Sequence, residues 1–184
     1  MIAKLMMHKM SMDLNLETLT QCAPETLQAQ SVAEVLLALG SNYQAEKYLP
    51  LARERLAALG KVHLSTAFQN PDFTATAAQP KPDYTNQCVH LLLTTPMSVQ
   101  QLQHTFKAFE GDCHRCRQTE PKQIRRVTMD IDILLIKRAN EINSLSDKFM
   151  SNEPMENWII MADRYPFKAH EMVGIKELIR TDCE

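Results

Sequence analysis

Glycine is scarce: Gly40, Gly60, Gly111 and Gly174 are the only four in 184 residues. Neither G-x-G-x-x-G nor G-x-x-x-x-G-K-[ST] can be written with them, so the two glycine-built phosphate cradles are excluded. A nucleotide would have to be held by other means. Long apolar runs are missing too. The opening stretch MIAKLMMHKMSM carries five of the eleven methionines, but Lys4, His8 and Lys9 interrupt it. It falls short of a signal-peptide core and of a membrane span. Charge of one sign is not in excess either. A formal net charge of -2 removes any whole-molecule argument for binding nucleic acid or an anionic membrane.

An even cysteine framework is also absent. Cys22, Cys88, Cys113, Cys116 and Cys183 make five, which fits reduced thiols in a cytoplasmic protein better than disulfides. Cys113-His114-Arg115-Cys116 has C-x-x-C spacing. It lacks both a second ligand pair for zinc and the strand-then-helix setting of a redox motif.

The remaining composition, 45% hydrophobic and 23% charged, is that of a globular chain. Its length suggests one domain with an appendage. We expect a loosely held N-terminal extension over residues 1–31 and one domain over 32–184. Val32–Leu39 reads as a buried strand broken at Gly40-Ser41-Asn42, with Ser41 or Asn42 as helix N-cap. Ala45, Tyr48, Leu49, Ala52, Leu56 and Leu59 then repeat at helical steps up to Gly60. Val62–Phe68 alternates like a strand. Gln69–Asp83, with Pro71, Pro80 and Pro82, reads as a long loop and a candidate ligand lid. Tyr84–Thr94 is a second long strand, and Thr95–Ser98 opens a helix whose apolar stripe is Val99, Leu102, Phe106 and Phe109. A charged loop, Gly111–Arg126, leads into the strand Val127–Ile136. Beyond Lys137 we expect a short strand near Ile142 and helices around Trp158 and Ile175. The order strand, helix, strand, strand, helix, strand predicts an α+β fold: a ferredoxin-like βαββαβ sandwich, antiparallel sheet with helices on one face, plus C-terminal additions.

Two carboxylates stand out in the last of these strands. Asp130 and Asp132 share a face, with Cα atoms roughly 6.5 Å apart, while Met129, Ile131 and Ile133 point into the core. Paired carboxylates alone most often solvate a sheet surface. Between Cys113 and Arg126, however, lie Arg115, Arg117, Lys122, Arg125 and Arg126 against the single acid Glu120. Mg²⁺ is commonly held by one or two carboxylates plus phosphate oxygens, and arginine forks match phosphate. The combination favours a polyphosphate with Mg²⁺. An RNA-binding platform is disfavoured, because the strands lack paired aromatics and the aspartates repel phosphate unless a metal intervenes.

LALGSN (37–42), NPDF and PDYTN within 70–86, Glu110 with Arg115-Cys116-Arg117, and TMDIDILL (128–135) together resemble the 6-hydroxymethyl-7,8-dihydropterin pyrophosphokinase family. These are folate-pathway enzymes that move pyrophosphate from ATP to a pterin alcohol. The resemblance covers most of the chain from Val32. It implies that Asp130 and Asp132 bind two Mg²⁺ ions bridging the ATP phosphates. It places Glu110, Arg115 and Arg117 at the ATP loop, with the two arginines on a mobile segment that closes over ATP. Tyr84 would stack on the pterin, Asn86 would hydrogen-bond its amide edge, and Trp158 would supply the second aromatic. Valine stands at 127 where the family pattern has arginine, so Arg126 is expected in the site through a strand bulge. The pattern's loop tryptophan and its later proline-histidine pair are missing, and the loop runs about two residues long. The implied partners are ATP and the hydroxymethyl-dihydropterin, taken by a cytoplasmic monomer that binds neither nucleic acid nor membrane. The alternative is a diverged paralogue that binds nucleotide or pterin with little or no catalysis.

Overall fold

A computed structural model describes residues 16–72, 75–116, 125–139 and 158–181. Arg117, the strand expected near Ile142 and the first fifteen residues lie outside the described residues. The architecture is α+β, with three α-helices and a seven-stranded mixed sheet among the described residues. The strands are β1 (Thr20–Cys22), β2 (Ser31–Ser41), β3 (Gly60–Leu64), β4 (Phe68–Asn70), β5 (Tyr84–Ser98), β6 (Asp130–Arg138) and β7 (Trp158–Met161). The helices are α1 (Ala45–Ala57), α2 (Val99–Asp112) and α3 (Ala169–Thr181).

The sheet order is β1-β7-β6-β2-β5-β3, with β4 pairing β5. Its centre, β6-β2-β5-β3, is antiparallel, whereas β1 lies parallel to β7. Alternation along β2 builds the core. Val35, Leu37 and Leu39 meet Leu49, Ala52 and Leu56 of α1 and Leu102 and Phe106 of α2. Leu36 points the other way and joins Cys88, Leu134, Ile175 and Leu178, so α3 covers the opposite face. Helices therefore pack on both faces, where one was expected. Residues ahead of β2 join the fold, with Leu16 and Leu27 buried and β1 in the sheet.

Several boundaries differ from expectation for local reasons. Thr95–Met97 extend β5 and do not start α2. The register between β2 and β5 slips between Val32 and Glu34, and this irregularity accommodates Pro96, which has no N–H for a regular ladder. Ser98 is the N-cap, accepting from the Gln101 N–H while Gln101 caps it in return. The strand expected over 62–68 is split, with β3 ending at Leu64 and β4 starting at Phe68 and running into the supposed loop. β6 begins at Asp130, three residues later than its apolar run suggests. Trp158 opens a strand, not a helix. WIIM is buried along its whole length, and so short an apolar run carries no period that separates the two.

Candidate active site

The face that α3 covers remains open at one end, and there β2, β5 and β6 form the floor of a cleft of about 860 Å³. Two registers build it. Gly40 pairs with Asn86 on one side and with Asp130 on the other, and Ala38 pairs with Asp132. A row Asn86–Gly40–Asp130 thus crosses three strands, spanning roughly 10 Å at the usual strand spacing. Small residues keep the centre low: a Cβ on Gly40 would come within 3.3 Å of Asn86 Oδ1. Tyr84 and Asn86 line one end of the cleft, Asp130 and Asp132 the other. Met129, Ile131 and Ile133 point into the core, as alternation requires.

Glu110, at the end of α2, is buried, and its Oε1 accepts the Ile131 N–H at 3.1 Å. The carboxylate thereby holds the backbone between the two aspartates. Arg115 is tucked against the site with a side chain 3% exposed, its Nη2 3.7 Å from Asp130 Oδ1. Arg164 Nη2 lies 3.0 Å from Asp132 Oδ2. Burial pushes the Asp132 carboxyl above its ordinary range, opposed by Arg164 and reinforced by Asp130. Burial likewise raises Tyr84, helped by Asp72 and opposed by Arg125 and Arg115, so its phenol keeps its proton near neutrality.

Asn42 decides which basic residue enters the cleft. Its Oδ1 accepts the Val127 N–H at 2.6 Å, and its Nδ2 donates to the Arg125 carbonyl at 3.1 Å. One of the two residues expected to cap α1 is instead a clamp on the chain ahead of β6, and Gln44, at φ 50°, stands at the N-cap without a side-chain bond. Clamped this way, Arg125 lines the cleft. Arg126 turns its guanidinium over the Tyr43 ring, 4.9 Å from the centroid, and is not brought to the aspartates. Trp158 is not brought there either. It is buried 5.8 Å from the His90 ring, in the cluster under α3.

The tail and the segment before β5 supply Lys81, Arg164, Lys168, His170 and Glu171, which no motif announced, and Asn70 of NPDF lines the cleft with them. Burial lowers the His170 imidazole, partly offset by Glu171, so it is neutral at pH 7. Three buried polar atoms around the cleft have no hydrogen-bond partner among the described residues: Asn70 Nδ2, Arg115 Nε and Arg164 Nε. Buried donors left this way suit a ligand. The C-x-x-C cysteines do not suit redox work: they are free thiols, Cys113 is buried, and burial raises its pKa.

The donor set fits a hard cation. No group of three or more His, Cys, Asp or Glu side chains that could hold a metal occurs among the described residues. Asp130 and Asp132 alone would leave most of an octahedral shell to phosphate oxygens and water, as Mg²⁺ prefers with nucleotides. A family model described as 7,8-dihydro-6-hydroxymethylpterin-pyrophosphokinase matches residues 36–160. No curated protein matches the chain.

Proposed function

Because the chain belongs to the 7,8-dihydro-6-hydroxymethylpterin-pyrophosphokinase family, we propose that it transfers pyrophosphate from ATP to 6-hydroxymethyl-7,8-dihydropterin and releases AMP. Enzymes of this family use ATP with Mg²⁺ and serve folate biosynthesis. The observation that carries the reading for this chain is the three-strand row. A flat, hydrogen-bonding end at Tyr84 and Asn86 faces a carboxylate end at Asp130 and Asp132 across the small residue Gly40.

Tyr84 stacks on the pterin, and the Asn86 carboxamide pairs with its donor and acceptor rim. Asp130 and Asp132 would hold two Mg²⁺ ions, which would supply positive charge against the polyphosphate. Arg115 and Arg125 stabilise charge that spreads over the transferring group. Glu110 sets the position of β6 through the Ile131 N–H. Arg117 remains assigned to the ATP side by the motif alone. Arg126 and Trp158 receive no role at the substrate.

The test is AMP release from Mg-ATP with and without the pterin alcohol. We expect pterin-dependent AMP, and a loss of at least about a hundredfold in Asp130→Ala and in Asp132→Ala, as when a site loses a preorganised charge. Folded protein that releases no pterin-dependent AMP would overturn the reading. Tight binding of a Mg-ATP analogue in that protein would mark it as a binding paralogue.

A further inference from the structure

Arg164 brings to the aspartate pair a cation that the TMDIDILL motif does not contain. It ends a short turn, Ala162–Arg164, directly after β7. One nitrogen, Nη2, reaches both Asp132 Oδ2 at 3.0 Å and Glu171 Oε1 at 3.1 Å. Glu171 is 2% exposed, and its other oxygen accepts the Lys168 N–H at 2.8 Å, so α3 locks that carboxylate in place. Arg164 Nε is buried without a hydrogen-bond partner among the described residues, and the side chain lines the cleft. The guanidinium therefore has one permanent anchor, one carboxylate that a metal would also need, and an unused donor.

We infer that Arg164 is an exchangeable counter-ion: it neutralises Asp132 before a divalent cation binds, then gives up that oxygen and contacts the nucleotide phosphates while Glu171 still holds it. This rests on the reading of the cleft as a metal-nucleotide site. A cation bound at Asp130 and Asp132 would leave Arg164 with a surplus charge, and phosphate oxygens are its natural partners. The tail thereby supplies a phosphate contact that Val127, 2% exposed and apolar, cannot make.

Opposite signs make the test selective. In the full chain, Arg164→Ala and Arg164→Gln should bind Mn²⁺ alone about threefold to tenfold tighter by electron paramagnetic resonance, because a competing cation is gone. The same variants should bind the Mg²⁺ complex of α,β-methylene-ATP about tenfold more weakly by calorimetry. Arg164→Lys should keep wild-type Mn²⁺ affinity and regain part of the nucleotide affinity, since an ammonium lacks the fork. Unchanged affinities, or losses in both, would overturn the proposal. A wild-type chain that binds Mn²⁺ but not the analogue overturns the nucleotide reading and the phosphate half with it. The Mn²⁺ response of Arg164→Ala then still decides the counter-ion half.

Discussion

Asn42 and Asp132 show how much of this site rests on single side chains. Asn42 bonds on either side of Arg126, to the Arg125 carbonyl and the Val127 N–H, so the intervening side chain is turned out over Tyr43. Replacing it with alanine removes one half-buried and one exposed hydrogen bond, at a cost of about 0.5–1.5 kcal/mol each at most. Asn42→Ala should lower Tm and raise KM for ATP about tenfold, while Asn42→Asp restores one bond only. A variant with wild-type KM would contradict the clamp. Asp132 works against the fold. Burial first of all raises its pKa above that of an ordinary aspartate, so the folded state favours the neutral acid. Its contribution to stability therefore falls as pH rises from the unfolded value through the raised folded one, and the deficit persists at pH 7. Ligand-free Asp132→Asn should melt no lower than wild type at pH 7 and yet fail to turn over. In wild type, Mn²⁺ affinity should begin to decline at a higher pH than an ordinary aspartate would give. A lower melting point in Asp132→Asn would show that the Arg164 pair outweighs burial.

At the scale of elements, α3 and the segment before it matter as much as the aspartate strand. α3 docks on β5 at Gly174, where an added Cβ would lie 2.6 Å from Cys88 Sγ and 2.7 Å from Cys88 Cβ. No rotamer of Cys88 relieves a clash with its own Cβ. Gly174→Ala must therefore push the helix off the sheet, at an overpacking cost of about 1–3 kcal/mol. Glu171, Lys168 and Arg164 line the cleft from this region, so the variant should lose nucleotide affinity along with Tm, measurable by calorimetry and thermal melting. Loss of stability with intact nucleotide affinity would show that the helix and the cleft are uncoupled. The contact also protects Cys88, whose thiol is pushed up to about 12 by burial and by Glu171 and Glu177.

Across the whole molecule, the sheet face under α3 has two polar ends separated by an apolar middle. The cleft is one. At the other, Glu34 accepts from Lys137 at 2.7 Å and pairs with His90 at 2.9 Å, beside Trp158. Burial raises the Glu34 pKa, but the bonds to His90 and Lys137 outweigh it and hold it below 4.5. A depressed carboxylate contributes stability above its unfolded pKa and loses it as pH falls through the folded value. Glu34→Gln should cost about 1–3 kcal/mol at pH 7, the size of charge-assisted bonds, and progressively less below pH 4.5. Denaturant melts across that range would reveal a pH-independent difference if the account were wrong. Among the described residues, no helix is long and apolar enough to cross a membrane.

Local pattern determined a good part of this protein. Alternation placed Asp130 and Asp132 on one face and Met129, Ile131 and Ile133 on the other, because period two is a property of any extended strand. Helical spacing located the buried stripes of α1 and α2, and the TMDIDILL and PDYTN segments pointed to the family that residues 36–160 match. The other face of the sheet, the exchange of Arg126 for Arg125 and the displacement of Trp158 were not legible. Each depends on contacts between residues far apart in the chain: Asn42 with Val127, Gly174 with Cys88, Trp158 with His90. Arg164 is the clearest case. Nothing near it in sequence sets it apart, and only the pairing of β7 with β6 and the docking of α3 bring its guanidinium to Asp132, where like charges on one strand needed a counter-charge that the strand itself could not supply.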